Sequence, residues 1–280
     1  MKTRFFLASA LSGLALSGSA WAITVDGNLD DWGVNHSTWV PTTGIHSTIE
    51  DQTGSGSYYL NPGWGGQAYD AEALYATIIG EKLYIALATG HDPRTLQNPA
   101  GNSYGAGDFA IDFGKDGTYE VGINIVHAGT GSNTDPIQTQ GGVYRVTQWN
   151  YGLWNTAGNY IHDGIAATSD IADALHPTYI QSGSLLGQAA LAINYGPTGT
   201  GTTNYGAVLS DTHFFYEMSV DLQTLRDAGW TGNAFNIQWT ENCANDSIIV
   251  DPPAPLPEPG SLALLGIGLA GLAGMRRRRA

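Results

Sequence analysis

Glycine-rich turns recur along this chain and separate short runs of alternating or apolar residues, which limits what the chain can fold into. The 280 residues include 38 glycines, and the runs between them show little of the 3.6-residue periodicity of amphipathic helices. The clearest case is the run 73–79, followed by Gly80-Glu81 and then by the run 82–88. A type II′ hairpin turn requires glycine at its first position. The pattern therefore predicts a β-hairpin here and an all-β fold for the chain.

Other segments fit the same interpretation. A second hairpin is predicted between the runs 108–113 and 118–126, and one short helix at 222–228, with Asp221 as its N-cap and Gly229 at its end. Further strands are predicted at 143–149, 189–193, 213–220 and 235–240. Many short strands separated by turn signals are typical of a sandwich. The sequence therefore predicts a single β-sandwich over 23–250, of jelly-roll or immunoglobulin-like type.

The N-terminus has the organisation of a secretory signal. Lys2 and Arg4 precede an apolar run from 5 to 16, and the segment closes with Ala20-Trp21-Ala22. A charged region, a short apolar region and an A-x-A site are the parts of a signal peptide that is removed on export. Residues 1–22 are therefore predicted to be cleaved after Ala22, with Ala20 and Ala22 forming the cleavage site.

The C-terminus carries a short apolar tail. Residues 251–259 are rich in proline, which helices and sheet interiors do not tolerate, and are predicted to form an extended linker. An apolar run, 260–275, follows. At ~1.5 Å per residue, this run is shorter than the ~30 Å hydrocarbon core of a bilayer. Residues 260–280 are predicted to form a transmembrane sorting helix with an arginine cluster on the cytoplasmic side. The cluster consists of Arg276, Arg277, Arg278 and Arg279.

Pro257, Glu258 and Pro259, followed by the short apolar run and the arginine cluster, resemble the PEP-CTERM sorting signal of Gram-negative bacteria. The resemblance implies that an exosortase, a membrane cysteine protease, recognises the tail and cuts near the Pro-Glu-Pro motif. It also implies transient anchoring in the inner membrane, then release or attachment outside the cell, and an association with exopolysaccharide production. A permanent single-span anchor is the alternative interpretation, and the shortness of the run argues against it.

The segment between the two ends is strongly acidic. Residues 23–255 hold five Lys and Arg against 24 Asp and Glu, so their formal charge is −19. Such a surface repels nucleic acid and anionic lipid. It suits calcium, cationic partners or simple solubility outside the cell. Cys243 is the one cysteine, so neither an intrachain disulfide nor a cysteine-based metal site can form.

The first candidate site lies at the predicted mature N-terminus. Asp26, Asn28 and Asp30 place oxygen ligands at alternate positions, as at the start of a calcium loop. Turn chemistry, in which these side chains accept bonds from nearby backbone N–H groups, is the alternative. The stretch 25–32 resembles the opening of family 9 carbohydrate-binding modules. That resemblance implies a sandwich fold, structural calcium bound by nearby acidic side chains, and sugar rings stacked on aromatic side chains.

The second candidate site precedes the strongest predicted strand. Asp70 and Glu72 lie two residues apart, so an extended backbone directs both to one face. Two carboxylates on one face repel each other unless they are paired, protonated or bridged by a metal. Asp70 and Glu72 are therefore candidate calcium ligands, with an architectural role as the alternative. Nearby aromatic and amide side chains, and one tryptophan from a glycine-rich and asparagine-rich loop, are candidates for a glycan-binding platform. These residues are Trp64, Gln67, Tyr69 and Trp154.

Two stretches carry a further resemblance. The block 65–73 and the stretch 239–246 are similar to segments of exported proteins that bear the same sorting tail. This similarity implies no activity.

No nucleophile elbow, zinc-protease motif or phosphate-binding loop occurs in the chain, and no catalytic residue is predicted. The sequence predicts an exported cell-surface or matrix protein, structural or adhesive, associated with exopolysaccharide and sorted by exosortase. A carbohydrate-binding module with structural calcium is the alternative, and a glycan-active hydrolase is the third hypothesis. The identity of the ligand is left open.

Overall fold

The computed structural model describes residues 22–51, 65–125, 136–137, 139–152 and 176–252. Within these ranges the chain forms eleven strands, one α-helix and two short 3₁₀ helices. In chain order they are β1 (His46–Ile49), a 3₁₀ helix (Gly66–Tyr69), β2 (Ala71–Ile79), β3 (Lys82–Thr89), a 3₁₀ helix (Pro99–Gly101), β4 (Phe109–Phe113), β5 (Tyr119–Ile123), β6 (Gly142–Asn150), β7 (Tyr179–Gln188), β8 (Ala190–Asn194), β9 (Phe214–Asp221), α1 (Leu222–Ala228), β10 (Phe235–Thr240) and β11 (Ser247–Val250).

The strands form two antiparallel sheets. The five-stranded sheet has the order β1-β2-β3-β9-β8, and the six-stranded sheet has the order β11-β10-β4-β5-β6-β7. Both predicted hairpins are present, β2–β3 and β4–β5, and Gly80 has the positive φ of 59° that its turn requires. The prediction of an all-β sandwich is confirmed. The chain passes between the sheets through Ala189 and, after β9, through α1.

The main core lies between the two sheets. It contains the inward side chains of both, including Leu74, Ile85, Phe109 and Trp239, all with no exposed surface. Each Å² of apolar surface that is buried in this core stabilises the fold by about 25 cal/mol. Trp149 of β6 and Trp239 of β10 are both buried.

A second apolar layer covers the outer face of the five-stranded sheet. Leu29, Trp32 and Trp39 of the N-terminal segment 22–45 pack there with Tyr75 of β2 and Phe215 of β9. Glu217 of β9 fixes this segment, since its carboxylate accepts bonds from the indole N–H of Trp32 and from two backbone N–H groups. The three distances are 2.8 Å each, from Trp32 Nε1, Asp26 N and Gly27 N.

The helix α1 begins and ends as predicted, but its N-cap differs in detail. Asp221 occupies the N-cap position, yet its side chain makes no capping hydrogen bond. Its Oδ1 instead lies 2.9 Å from Nζ of Lys82, the residue opposite it in the β3–β9 ladder. The cross-strand ion pair therefore replaces the predicted side-chain cap.

Candidate functional site

Five acidic residues meet where the edges of the two sheets come together. Glu50 follows β1, Asp70 and Glu72 lie at the start of β2, Glu241 follows β10, and Asp246 precedes β11. The edge strand β11 packs against β1 and β2, and Thr48 Oγ1 donates to the Ile249 carbonyl across this boundary at 2.5 Å. We refer to Glu50, Asp70, Glu72, Glu241 and Asp246 as the junction cluster.

The backbone around Asp70 is held on several sides. Gly90 N and Thr89 Oγ1 both donate to the Asp70 carbonyl, at 2.9 Å and 2.6 Å. A Cβ at Gly90 would lie 1.7 Å from the Gln67 carbonyl oxygen, so this close approach requires glycine. The 3₁₀ helix Gly66–Tyr69 is thereby packed against the end of β3. Asp70 follows this helix directly, so the helix positions Asp70 in the cluster.

A β-bulge interrupts the alternation of β2 at Glu72. The register with β3 shifts between Ala71 and Ala73. Ala71 belongs to the core between the sheets, whereas Ala73 belongs to the outer layer. A bulge adds one residue to a strand and re-aims the neighbouring side chains. The simple two-residue alternation predicted for Asp70 and Glu72 is therefore broken, yet their carboxyl groups are close enough to interact electrostatically.

Asp246 connects the two sheets through its carboxylate. Its Oδ2 accepts a bond from the Ala71 backbone N–H at 2.7 Å, and its own backbone N–H donates to Glu241 Oε2 at 3.2 Å. The Thr240 hydroxyl donates to the Asp246 carbonyl. One acidic residue thus joins the start of β2 to the β10–β11 turn.

Glu72 has its own partners inside the cluster. Its Oε1 accepts from Gln67 Nε2 at 2.5 Å and lies 3.1 Å from Nδ1 of His213. The side chains of Glu72 and His213 are 1% and 2% exposed, and the Trp39 ring stands edge-on to the His213 ring at 5.1 Å. Glu72 is therefore the member of the cluster that has a potential cationic partner.

The other four members carry oxygen atoms that accept no hydrogen bond from an amide, a hydroxyl or a basic group. These atoms are both carboxylate oxygens of Asp70, Oε1 of Glu241, Oδ1 of Asp246 and Oε2 of Glu50. Asp70, Glu241 and Asp246 have no exposed surface. The side chains of Asp70 and Asp246 are near enough to share a proton, which is the one way in which two carboxyl groups can bond to each other.

Every Lys and Arg of segment 23–255 is engaged elsewhere, on the surface. Four form ion pairs and the fifth donates to a backbone carbonyl. The pairs are Lys82–Asp221, Arg94–Asp92, Lys115–Asp251, Arg226–Glu81 and Arg145 with the Asp227 carbonyl. No lysine or arginine of this segment therefore neutralises the junction cluster.

Burial is the main cause of the shifted acidities in the cluster. It raises the pKa of Glu50 to about 9, with further contributions from the charges of Asp246 and Glu72. Burial also raises the pKa of Asp70, Asp246 and Glu241 above their usual ranges. The nearby thiol of Cys243 is buried and its pKa is raised too, first by burial and then by Glu241.

These shifts predict that the sandwich is more stable in mild acid than in mild alkali when no metal is present. Between the unfolded pKa near 4 and the raised folded value, the folded chain keeps a proton that the unfolded chain has lost. The contribution of the cluster to the free energy of unfolding should therefore fall as pH rises, by up to about 1.4 kcal/mol per pH unit for each group. The buried His91, whose pKa burial lowers to about 4, contributes the opposite slope below about pH 6.5. Urea unfolding at pH 5.5, 7 and 8.5 with a chelator measures this slope. Asp70→Asn should flatten it, and an equal slope in that variant would contradict the prediction.

The N-terminal candidates do not join this cluster. Asp26, Asn28 and Asp30 are all exposed. Asp26 Oδ1 accepts from the Asn28 backbone N–H at 2.8 Å, and Asn28 Oδ1 accepts from Asn194 Nδ2 at 3.0 Å. The first is a local bond of the kind that the turn alternative predicts, whereas the second joins the N-terminal segment to the end of β8, 166 residues away. Across the described ranges, no three His, Cys, Asp or Glu side chains are arranged to hold a metal ion in this conformation.

The glycan-binding candidates fall into two groups. Gln67 is half-buried and its amide is engaged with Glu72, while the half-buried ring of Tyr69 lies against His91 at 5.6 Å. Trp64 and Trp154 lie outside the described residues, as do Ala20 and the sorting residues 257–259 and 276–279. Ala22, on the predicted cleavage site, is exposed.

A cleft of about 350 Å³ opens beside the N-terminal segment. Asn28, Asp30, Asn194 and Tyr205 line it, together with Phe215 and the loop after β8. Two predicted metal candidates, Asn28 and Asp30, therefore lie on the wall of a cleft that also contains the buried rings of Tyr205 and Phe215.

Three members of the junction cluster were not predicted as site residues. Glu50 is followed by Asp51, and Glu241 and Asp246 lie five residues apart, but neither arrangement matches a metal-binding or catalytic motif. The available signal was the stretch 239–246, which resembles segments of other exported proteins with this tail. The structure brings that stretch against the block 65–73, which shares the same resemblance.

Residues 255–279 match the family model of the PEP-CTERM protein-sorting motif. No curated protein and no solved structure matches the chain. The chain is thus an exported protein that carries an exosortase-recognised sorting signal and is anchored transiently in the membrane before exosortase cleavage. Among the residues that the structure describes, none forms a helix of the length and apolarity that a membrane span needs.

Proposed function

We propose that the processed protein is a structural or adhesive component of the layer outside the cell, where it is associated with exopolysaccharide. The observation that carries this proposal is the sorting motif at residues 255–279, placed directly after a folded β-sandwich. In the PEP-CTERM family that the tail resembles, such signals accompany exopolysaccharide production. The sandwich is then the functional domain, and the tail determines its location outside the cell.

The proposal includes a division of the chain into four parts. Residues 1–22 are removed as the signal peptide, and 23–250 form the sandwich ectodomain. Residues 251–259 are the proline-rich linker, and 260–280 form the sorting helix with its arginine cluster. The producing cell is Gram-negative, so the tail is held in the inner membrane before cleavage.

The burial of Asp70 and Glu72 argues against their use as the catalytic pair of a glycosidase. A glycosidase needs two carboxyl groups on either side of a bound sugar, about 5–9.5 Å apart and open to it. Asp70 and Glu72 have 0% and 1% of their surface exposed. A polymer chain cannot reach carboxyl groups that are enclosed between two sheets.

The test compares the producing bacterium with a mutant that lacks this chain. We expect secretion of polymer to continue and the share of polymer that stays on the cells to fall severalfold. The full chain should restore retention, and a chain that ends at Pro252 should not. Unchanged retention would contradict a structural or adhesive role. If the medium of the mutant instead lacked polymer fragments that the medium of the producing bacterium contains, a hydrolase would be favoured.

The cleft beside the N-terminal segment favours a carbohydrate-binding module as the second candidate function. Amide and carboxylate groups line it beside the buried rings of Tyr205 and Phe215, and such polar groups in a concave site suit a ligand that needs hydrogen bonds. Affinity electrophoresis of the exported protein in gels that contain soluble polysaccharides tests this function. Retardation that is lost in Asn194→Ala would support it, and equal mobility in every gel would contradict it.

A further inference from the structure

The negative charge that the carboxyl groups of the junction cluster can carry is not balanced by any Lys or Arg of segment 23–255. Asp70, Glu241 and Asp246 are fully buried, and each has at least one oxygen atom without a donor. His213 lies against Glu72 rather than against these three. All five Lys and Arg residues of segment 23–255 are engaged on the surface. Buried carboxyl groups must be neutralised by protons, by basic side chains or by a metal ion.

We propose that the junction cluster binds a divalent cation, calcium, through the free oxygens of Asp70, Glu241 and Asp246, with Glu50 beside them. These donors are hard carboxylate oxygens, which calcium prefers to nitrogen or sulfur ligands. Glu72 is not assigned as a ligand, because its Oε1 is occupied by Gln67 and His213. Of the two ligands predicted from the sequence in this region, Asp70 is retained. Glu241 and Asp246, from the other sheet, take the place of Glu72.

Binding requires a small rearrangement within the cluster. No three of these side chains converge on one point in the described conformation, and like-charged carboxylates resist such convergence. A bound cation would remove that repulsion, and the proposal requires the side chains to turn until their free oxygens face the ion. The backbone at both ends of the site is already fixed, by the Ala71 bond to Asp246 and by the bonds of Gly90 and Thr89 to Asp70.

A bound cation would link the two sheets to each other. Asp70 belongs to the five-stranded sheet, whereas Glu241 and Asp246 belong to the turn between β10 and β11 of the six-stranded sheet. A cation held by all three would oppose separation of the sheets at this edge. The inference is independent of whether the protein acts as a matrix component or as a carbohydrate-binding module.

The experiment measures the melting temperature of the exported, processed protein with calcium, with magnesium and with chelator. A ligand that binds the folded state at 100 times its dissociation constant raises the melting temperature of a chain of this size by roughly 5–10 °C. We expect such a rise with calcium and a smaller one with magnesium, which tolerates irregular geometry poorly. Calorimetry with calcium alone should give one site.

Two variants test the ligand assignment. Asp70→Asn and Glu241→Gln preserve side-chain shape and remove one charge, and each should lose most of the calcium-dependent rise. The matched control is Glu217→Gln, which alters another fully buried carboxylate at a distance from the cluster. It should lower the melting temperature and keep the full calcium response.

Two results would overturn the proposal. The first is a wild-type protein whose melting temperature does not respond to calcium. The second is a calcium response that persists unchanged in Glu241→Gln and in Asp70→Asn, since the ion would then be bound elsewhere, for example at Asp26 and Asp30. If Asp70→Asn does not fold, Glu241→Gln and calorimetry on the wild-type protein decide between these results.

Discussion

Alanine at Pro257, Glu258 and Pro259 together should abolish exosortase processing and leave the sandwich intact. These residues lie within the matched sorting motif at 255–279, whereas the sandwich ends with β11 at Val250. The variant should keep its apolar tail and stay in the membrane fraction. The measurement is the intact mass of the protein from membrane and released fractions of cells that produce an exosortase.

Pro253→Ala is the matched control for this experiment. It also replaces a proline of the linker, but it lies outside the matched motif. The control protein should be processed like the wild type. Processing of the triple variant at the wild-type level would show that cleavage does not depend on the Pro-Glu-Pro residues.

Trp32→Ala should cause the largest loss of stability that we predict for a single substitution. The indole is fully buried in the outer layer, and its Nε1 donates to Glu217 Oε1 at 2.8 Å. Truncation of a buried tryptophan costs about 3–5 kcal/mol, and it also leaves a buried carboxylate oxygen without its donor. Because domains are stable by about 5–15 kcal/mol, this loss is a large part of the total. Urea unfolding of the exported protein measures it.

Two further variants separate packing from hydrogen bonding at this position. Trp32→Phe keeps a ring and removes the N–H group, so it should cost about 1–3 kcal/mol. Leu185→Ala removes an apolar side chain that is 55% exposed, and it should change stability by less than about 0.5 kcal/mol. Equal losses for Trp32→Ala and Trp32→Phe would mean that the packing of the indole contributes little.

Elements defined by local chemistry were predictable from the sequence. The β2–β3 hairpin is fixed by a glycine turn between two apolar runs, and α1 is bounded by Asp221 and Gly229. Three strands were missed for local reasons as well. β1 and β11 have four residues each, too few to show a period, and glycines interrupt the alternation of β7.

Two of the five members of the junction cluster could be predicted from the sequence. Asp70 and Glu72 could be identified because they are neighbours in one strand. Glu50 reaches them through the pairing of β1 with β2, since its backbone N–H donates to the Glu72 carbonyl at 2.9 Å. Glu241 and Asp246 reach them through the contact of two sheet edges, and no local pattern specifies which edges meet. The turn function of Asp26 and Asn28 was an open alternative, because isolated Asp and Asn residues serve turns and calcium loops equally well.

The meeting of β11 with β1 and β2 also bears on the order of events during export. The bond from Thr48 to Ile249 joins residues 201 positions apart, and such long-range contacts slow folding because a large loop must close first. Because β11, the last strand, packs against β1 and β2 of the five-stranded sheet, the chain cannot complete its fold while β11 is still being synthesised. We therefore expect the polypeptide to stay unfolded long enough to be threaded through a secretion channel, and to close only after residue 250 has emerged on the far side.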